Sequence, residues 1–405
     1  MKLFINGIAA SAGGGLTYLR NVVPELSRRE DCECVLAVSA PLRDEFRGMN
    51  RVNIVDASIP QSTVRRVWWE QSAMAQLIRQ SAADVLLSAG NFAIRASPVP
   101  QILLSRNSLY TSSDFYCDLR ERGEYRLWLG TKFRGELARR SILWADCTVA
   151  PSQAFANELE KWTGKSVLSL PHGFDRSTFT AGSRELEEST QEKIDLTGNS
   201  FRLLFVSHYN YYRNFETLFR ALALLNTRKL PRDIKLMLTC SLRGEDTPGG
   251  YRPESAARLI RELNIAGQVI ELGAIPYDAL HLVYESANAY VSAAYAESFA
   301  HPLNEAMSSG LPVIASDIPV HREICGDAAL YFPRFSPERL ADAIEKLVTH
   351  ESLATEQGRL GVLQSQRFSW SDHVDEVLKI SHKLSSARSK IKSVERARSK
   401  AAAAN

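Results

Sequence analysis

Short apolar runs alternate with amphipathic segments along almost the whole chain, and this alternation restricts the fold more than any other feature. The runs typical of buried strands are 2–8, 34–40, 53–58, 84–90, 100–105, 146–152, 201–207, 235–241, 268–273 and 289–293. The segments with helical spacing include 16–26, 64–81, 119–144, 215–225, 254–264, 277–287 and 337–350. Because helices join the strands of a parallel sheet, the alternation predicts an α/β fold with doubly wound parallel sheets.

The chain has 405 residues, which is too long for one ordinary hydrophobic core. Turn-forming proline, glycine and aspartate interrupt the pattern at 166–179, SVLSLPHGFDRSTF, so this segment predicts a hinge. We therefore expect two Rossmann-like domains, 1–170 and 171–367. A last amphipathic helix, 368–384, is expected to pack back toward the first domain, and the basic tail 385–405 is expected to be flexible.

Composition excludes several classes of function. The net charge of +3 gives no overall reason to expect nucleic-acid binding. No apolar run approaches the roughly 18 residues of a membrane span. The amino-terminal apolar run is broken by Asn6 and followed by glycines, which favours a strand and loop over a signal peptide, so we expect a cytoplasmic protein.

Metal-binding patterns are missing from the sequence. The six cysteines form no C-x-x-C pair, and no Asp-x-Asp or H-E-x-x-H motif occurs. All eight histidines lie at or after His172, so the first domain offers no histidine base. We predict no metal site and no bound cofactor.

The stretch 291–317 holds two glutamates at a predicted strand-to-helix turn. Glu297 follows an apolar strand, and Glu305 lies in a short helix that Pro302 opens and Gly310 ends. In a parallel sheet this turn lies at the ligand-binding edge. The pair can therefore bind a ligand, although a helix-dipole partner at Glu305 and a solvated Glu297 explain the same residues.

A glycine-rich loop, 13–15, follows the first strand and precedes a helix. The spacing is not that of the dinucleotide fingerprint, and the next strand ends in Ser39 where a ribose-binding acid would be needed. The loop indicates either a close approach of the backbone to a phosphate or sugar, or only a turn that requires positive φ.

Taken together, these motifs resemble the family-4 retaining glycosyltransferases of the GT-B fold over nearly the whole chain. The signature is a glutamate, seven residues and a second glutamate, followed by the strand GLPVIAS at 310–316. PHGFD at 171–175, Arg213-Asn214 after a strand and FSW at 368–370 support it. The resemblance implies two Rossmann-like domains that face each other across a cleft.

The resemblance also implies roles for individual residues. Glu305 would bind the nucleotide ribose, Glu297 the transferred sugar, and Arg213 the donor diphosphate in place of the usual lysine. Glu297 and Arg213 are thus the catalytic candidates. The other candidate donor-binding residues are Ser298, Phe299, Ala300, His208, Asn214, Gly14 and Gly15.

Some positions depart from the family pattern. Ser298 and Ala300 replace glycines beside the sugar, which predicts a narrower pocket. His208 follows the second domain's first strand near the place of an arginine, and it either substitutes for that cation or is only a turn residue. Asn107, with Arg106, occupies the place of a first-domain histidine and is an acceptor-side candidate.

The activity implied is that of a retaining, metal-independent hexosyltransferase. It would move a sugar from a nucleotide-diphosphate sugar to a hydroxyl of a glycan, lipid-linked glycan or small molecule, in the synthesis of cell-surface polysaccharide or glycoconjugate. A sugar-nucleotide epimerase and a non-catalytic member that binds nucleotide or a partner remain as alternatives. The nucleotide base and the sugar do not follow from the motif.

Two basic segments raise the question of membrane contact. Residues 119–140 carry seven basic and three acidic residues interleaved with Tyr125, Trp128 and Phe133, and the segment 383–400 is also basic. Either segment can rest weakly on an anionic membrane at the inner face of the cell, although solvated helices explain them equally.

Overall fold

The computed structural model describes residues 1–10, 14–55, 63–182, 184–242 and 249–402, without the side chains of 41, 63–68, 178 and 391–402. Its contacts divide the chain into two compact units. The first comprises Met1–Thr111, Leu129–Gly173 and Ser369–Asn405, and the second comprises Ser112–Trp128 and Phe174–Phe368. The segment Ser112–Trp128 thus groups with the second unit, whereas the hinge-based division assigned it to the first domain.

The first unit is built on seven parallel strands in the order β3-β2-β1-β4-β5-β6-β7. The strands are β1 Lys2–Asn6, β2 Glu33–Ala37, β3 Val52–Ile54, β4 Val85–Ser88, β5 Gln101–Leu104, β6 Cys147–Ala150 and β7 Leu168–Ser169. Residues 53 and 54 of the predicted strand 53–58 lie in β3, and residues 56–58 lie outside the described ranges.

Both faces of this sheet are covered, as the apolar runs predict. Successive side chains of a strand point to opposite faces. Leu3 and Ile5 accordingly pack in one core with Leu19, and Phe4 packs in another with Met74.

Six parallel strands form the second sheet, in the order β10-β9-β8-β11-β12-β13. They are β8 Phe201–Phe205, β9 Ile234–Leu238, β10 Val269–Glu271, β11 Ala289–Ser292, β12 Val313–Ser316 and β13 Ala329–Phe332. The chain order reverses between β8 and β11, which makes their carboxyl ends the switch point where ligands bind in such sheets. The prediction of two doubly wound Rossmann-like sheets is confirmed.

Helices connect the strands in both units. In chain order they are α1 Gly14–Ser27, α2 Ala40–Phe46, α3 Thr63–Gln80, α4 Ser113–Glu121, α5 Tyr125–Trp144, α6 Gln153–Thr163, α7 Arg176–Thr180, α8 Glu188–Asp195, α9 Phe215–Leu225, α10 Glu254–Glu262, α11 Leu280–Glu285, α12 His301–Ser308, α13 Pro319–Cys325, α14 Pro337–Thr349, α15 Glu351–Ser365 and α16 Trp370–Ala402. No helix among the described residues is long and apolar enough to span a membrane.

The single helix predicted over 119–144 was wrong in its amino-terminal part. The segment forms two helices, α4 and α5, and the chain turns between them at Gly123, whose φ is +70°. A residue in this left-handed conformation ends a helix, and glycine adopts it without steric cost.

Helix α16 belongs to the first unit and covers one face of its sheet. Trp370, Val374 and Val377 are buried in the same core as Leu3. The helix continues to Ala402, beyond the predicted end at 384. Nδ1 of His373 donates to the carbonyl of Pro171 at 2.8 Å, which fixes the first turn of α16 on the PHGFD segment.

Gly173 of that segment has no room for a side chain, and replacing it with alanine is expected to lower the free energy of unfolding by about 3 kcal/mol. A Cβ there would lie 2.1 Å from the main-chain nitrogen of Trp370, so α16 would have to move. Urea unfolding followed by circular dichroism measures the loss.

Gly267→Ala is the matched control for this substitution, because a Cβ at Gly267 would meet no atom within 4 Å. Equal unfolding midpoints for the two variants would contradict the steric argument.

Candidate functional site

Arg213 and Glu297 meet beyond the carboxyl ends of β8 and β11. Arg213 ends a short 3-10 turn, Tyr211–Arg213, and Nη1 of its guanidinium donates to Oε1 of Glu297. Only 17% of the arginine side chain and 10% of the glutamate side chain are exposed. The two side chains therefore form a largely buried ion pair at the switch point of the second sheet.

The guanidinium of Arg213 keeps unused hydrogen-bonding capacity. Its Nε is buried and has no hydrogen-bond partner among the described residues. Its Cζ lies 5.3 Å from the centre of the Tyr212 ring. A buried donor without a partner costs stability unless a ligand uses it, so this nitrogen is suited to an anionic group.

Asn214 shapes the turn that presents Arg213. Its φ is +57°, a left-handed conformation that asparagine tolerates, and it immediately precedes α9. The side-chain Nδ2 donates to the carbonyl of Arg334 at 2.6 Å. Asn214 thus acts as a structural residue of the turn, while its predicted contact with the donor remains a prediction.

The loop after β11 runs into α12 through Ala300, whose φ is +66°. This conformation favours glycine, which is the residue that the family pattern has at this position. Phe299 is buried, 5.4 Å from the ring of Phe368 and 4.9 Å from that of His301. Ser298, which follows Glu297 in the chain, is half-buried. The loop is consequently held by Phe299, and its substituted positions lie directly after Glu297.

Glu305 lies in α12 and is buried, with 5% of its surface exposed. The hydroxyl of Tyr284 donates to its Oε2 at 2.8 Å. Burial raises the pKa of Glu305 to about 7, and the hydrogen bond from Tyr284 opposes this shift. A glutamate that only complemented the dipole of the helix would be exposed to solvent, and Glu305 is not. It is a buried carboxyl that can accept hydrogen bonds.

A network that sequence patterns did not predict supports the same loop. The hydroxyl of Tyr295 donates to Oδ2 of Asp118 at 2.7 Å, and Arg122 binds Oδ1 of Asp118 at 2.6 Å. Arg122 also donates to Glu216 in α9 at 2.7 Å. Burial, then the Asp118 carboxylate, raises the pKa of Tyr295, so its hydroxyl remains a donor. Asp118 and Arg122 therefore link α4 to the loop that leads to Glu297 and to α9, which follows the turn of Arg213.

Replacing Tyr295 with phenylalanine is expected to lower turnover about tenfold, because the loop that carries Glu297 loses its anchor on Asp118. The free energy of unfolding should fall by about 1 kcal/mol. Steady-state kinetics and urea unfolding measure the two effects separately.

Tyr331→Phe provides the matched control, since the Tyr331 hydroxyl donates to the carbonyl of Gly326 at 2.6 Å, away from the loop. It should cost similar stability and leave turnover unchanged. Equal turnover in both variants would show that Tyr295 is only structural.

His321 is a second residue that the sequence did not single out. It is buried in α13, and its Nδ1 lies 3.0 Å from Oγ of Ser316 at the end of β12. Burial lowers the pKa of His321 to about 4, so its imidazole is neutral near Arg213 and adds no positive charge there.

His208 is exposed. Its carbonyl oxygen accepts hydrogen bonds from Oγ of Ser207 at 2.7 Å and from Nδ2 of Asn210 at 3.2 Å. Its role as a second cation for the diphosphate therefore remains a prediction.

The candidates of the first unit lie beyond β1 and β5. Nη1 of Arg106 donates to the carbonyl of Gly14 at 2.9 Å, and Gly15 lies in the first turn of α1 against the same side chain. Oδ1 of Asn107 accepts from the main-chain nitrogen of Leu109 at 3.1 Å, so Asn107 caps a local turn. Gly13 lies outside the described residues.

No three His, Cys, Asp or Glu side chains within the described ranges are grouped so that they could hold a metal ion. Arg213 contributes a positive charge at the switch point of the second sheet, where it is paired with Glu297.

The sheet order, the switch-point site and the family comparisons define the class of protein. The two parallel-sheet units are those of a GT-B glycosyltransferase fold. The family described as Glycosyltransferase Family 4 matches residues 12–178, and Glycosyl transferases group 1 matches residues 187–361. The chain belongs to the family-4 glycosyltransferases of the GT-B fold.

Curated relatives match part of the chain. A D-inositol 3-phosphate glycosyltransferase of Corynebacterium aurimucosum is 25% identical over 209 residues, which is 51% of this chain and 48% of the relative. The O-antigen chain mannosyltransferase B of Escherichia coli is 27% identical over 123 residues, which is 30% of this chain and 32% of the relative. The chain spans about half the length, or less, of these relatives.

Solved structures show the same fold over nearly the whole chain. Sucrose-phosphate synthase from Thermosynechococcus elongatus has a TM-score of 0.72 at 18% identity and covers 95% of this chain and 99% of its own. Anabaena HepE in complex with UDP-glucose has a TM-score of 0.70 at 15% identity, with the same coverage.

Proposed function

We propose that this protein is a retaining glycosyltransferase that moves a sugar from a nucleotide-diphosphate sugar to a hydroxyl group of an acceptor. The observation that carries the proposal is the buried pair of Arg213 and Glu297 at the switch point of the second sheet, with the buried carboxyl of Glu305 in the helix that follows. Ligands bind at this edge of an open parallel sheet.

The charges of these residues suit the transfer. Breaking the bond between the anomeric carbon and the diphosphate leaves negative charge on the leaving group. The guanidinium of Arg213 would stabilise that charge by paired hydrogen bonds, without a metal ion. Glu297 would hold the sugar hydroxyls, and the acceptor would attack on the face that the diphosphate leaves, which gives retention.

The donor is proposed to be held by its ribose at Glu305. An ionised carboxylate accepts hydrogen bonds from two neighbouring hydroxyl groups, and burial strengthens these bonds. A uridine donor is the first to test, because HepE, which has the same fold, was solved with UDP-glucose. The other donor-side proposals, at Ser298, Phe299 and Ala300, concern the sugar.

The acceptor side is proposed to involve Arg106, Asn107 and the loop of Gly14 and Gly15 in the first unit. Glycan or lipid-linked acceptors of cell-surface synthesis are favoured because the Escherichia coli relative is named as an O-antigen chain mannosyltransferase. Such a reaction would take place in the cytoplasm, at or near the inner face of the membrane.

A donor screen tests the proposal. The protein is incubated with UDP-, GDP- and dTDP-sugars, and mass spectrometry follows the donor with and without acceptor glycans. Transfer or slow donor hydrolysis that Arg213→Ala abolishes would support the proposal. An isomerised donor would indicate an epimerase instead, and binding without turnover would indicate a non-catalytic member.

Two further measurements test the finer claims. The anomeric configuration of the product, determined by NMR, should equal that of the donor, and an inverted product would contradict retention. Turnover should persist in EDTA, and a loss that Mg²⁺ or Mn²⁺ restores would contradict metal independence.

A further inference from the structure

In the part of α5 that belongs to the first unit, 129–144, large apolar side chains are exposed where a surface helix would normally bury them. Its buried positions are mostly small or polar, and they are Thr131, Gly135, Ala138, Ser141 and Ile142. Its exposed apolar residues are larger: Leu129 is 61% exposed, Phe133 76% and Leu143 45%. A surface helix normally buries its large apolar side chains. Exposing them to water, as α5 does, is unfavourable.

Leu129, Phe133 and Leu143 share one face because Phe133 and Leu143 lie four and fourteen residues after Leu129, and both spacings are close to whole helical turns. Lys132, Glu136 and Arg140 are exposed on the same face. We refer to these six residues as the outer face of α5.

The charges around this face are mostly positive. From 129 to 143 the helix carries four basic residues, at 132, 134, 139 and 140, and one acidic residue. That acid, Glu136, is 3.0 Å from Arg140 and is neutralised by it. Of the aromatic residues noted in the sequence, Phe133 lies on this face, whereas Tyr125 and Trp128 belong to the second unit.

We infer that the outer face of α5 binds the surface of an anionic lipid bilayer. Leu129, Phe133 and Leu143 enter the region between headgroups and acyl chains, and the flexible stem of Lys132 places its charge among lipid phosphates. A large apolar residue beside basic ones is the combination that an anionic interface stabilises on both counts, by burial and by charge. A second copy of this chain would instead bring the same positive charges together.

Sedimentation of the full chain with lipid vesicles tests the inference, and it needs no sugar transfer, so its outcome is independent of the proposed function. The protein should sediment with phosphatidylcholine vesicles that contain phosphatidylglycerol, much less with phosphatidylcholine alone, and less as salt is raised. Leu129→Ser/Phe133→Ser should lower the partition coefficient about 30-fold. Lys132→Glu should lower it about tenfold.

Leu196→Ser/Leu363→Ser is the matched control, because both leucines are exposed and lie outside α5. It should sediment as the unchanged protein does. All variants retain the basic carboxyl-terminal segment, so a loss confined to the α5 variants assigns binding to the outer face.

Four results would overturn the inference. The protein could sediment equally with both kinds of vesicle or with neither, or the α5 variants could sediment normally. Light scattering could also reveal a dimer that Leu129→Ser/Phe133→Ser dissociates while no vesicle binding occurs, which would assign the face to a second copy. If the double variant does not fold, as judged by circular dichroism, the single charge variant Lys132→Glu decides.

Discussion

Replacing Arg213 with alanine is expected to lower sugar-transfer turnover about a thousandfold, because the leaving diphosphate loses the cation that stabilises its developing charge. The same substitution leaves Glu297, with 10% of its side chain exposed, as an unpaired carboxylate. Breaking a buried pair in this way should cost about 3 kcal/mol of unfolding free energy. Steady-state kinetics with the donor found in the screen and urea unfolding measure the two losses.

The two effects of Arg213→Ala can be separated. Arg213→Ala/Glu297→Ala removes both charges, so it should regain stability but not turnover. Arg228→Ala is the control, because Arg228 binds Asp342 at 3.0 Å elsewhere in the second unit, and its turnover should equal that of the unchanged protein. Turnover of Arg213→Ala within about tenfold of the unchanged protein would contradict the assigned role.

Donor affinity is expected to rise as pH increases through about 7, the pKa to which burial raises Glu305. Only the ionised carboxylate accepts hydrogen bonds from both ribose hydroxyls, and the protonated form, like an amide, offers one acceptor oxygen and a donor. Glu305→Gln should therefore bind donor weakly at every pH, and its affinity should show no such rise. Isothermal titration calorimetry across this range measures the difference.

The free energy of unfolding, unlike the donor affinity, should fall as pH rises. The pKa of Glu305 is higher in the folded chain, about 7, than the ordinary value of 4.5, so folding favours its protonated form. This contribution to stability is complete below the ordinary value and is lost as pH rises through about 7, at most about 3 kcal/mol in all. Relative to Glu305→Gln, the unchanged protein should lose unfolding free energy over that range.

Glu271→Gln controls for the loss of a carboxylate elsewhere in the second sheet, since Glu271 accepts from the main-chain nitrogen of Leu242. A parallel pH dependence of donor affinity in Glu305→Gln and in the unchanged protein would assign the titration to another group.

The sequence predicted correctly those helices whose residues show a regular apolar spacing or a clear start and stop signal. Helix α9 was predicted over the residues it occupies, because its apolar residues recur with helical spacing and seven of its eleven residues are buried. The opening of α12 by Pro302 and the stop at Gly310, whose φ is +74°, were likewise correct. Family resemblance, not spacing alone, supplied the roles of Glu297 and Glu305.

Helix α15 shows why some elements were missed. Only Gly358, Gly361 and Ser365 of its fifteen residues are buried, so it has no apolar stripe for a pattern to detect. It packs by close backbone approach instead: a Cβ on Gly358 would lie 2.3 Å from the carbonyl oxygen of Gly310. Glycine spacing in a helix signals such packing only when the partner helix is already known.

The site's cross-connections were beyond any local pattern. Arg213 and Glu297 are separated by 84 positions, and Tyr295 and Asp118 by 177. Such contacts depend on which strands become neighbours, and the order of strands in a sheet is set by the whole chain. The resemblance placed Arg213 and Glu297 in one site, but nothing in it indicated that α4 would contribute Asp118.

The grouping of Ser112–Trp128 with the second unit limits how this protein can be recombined with its relatives. A chimera that exchanged only 174–368 would bring a foreign loop to Asp118 and a foreign partner to Asp114, which binds Arg334 at 2.7 Å. The transferable cassette is therefore discontinuous in the gene. Natural or engineered shuffling that preserves activity has to carry the α4 codons together with those of the second sheet, although 45 codons of the first unit intervene between the two parts.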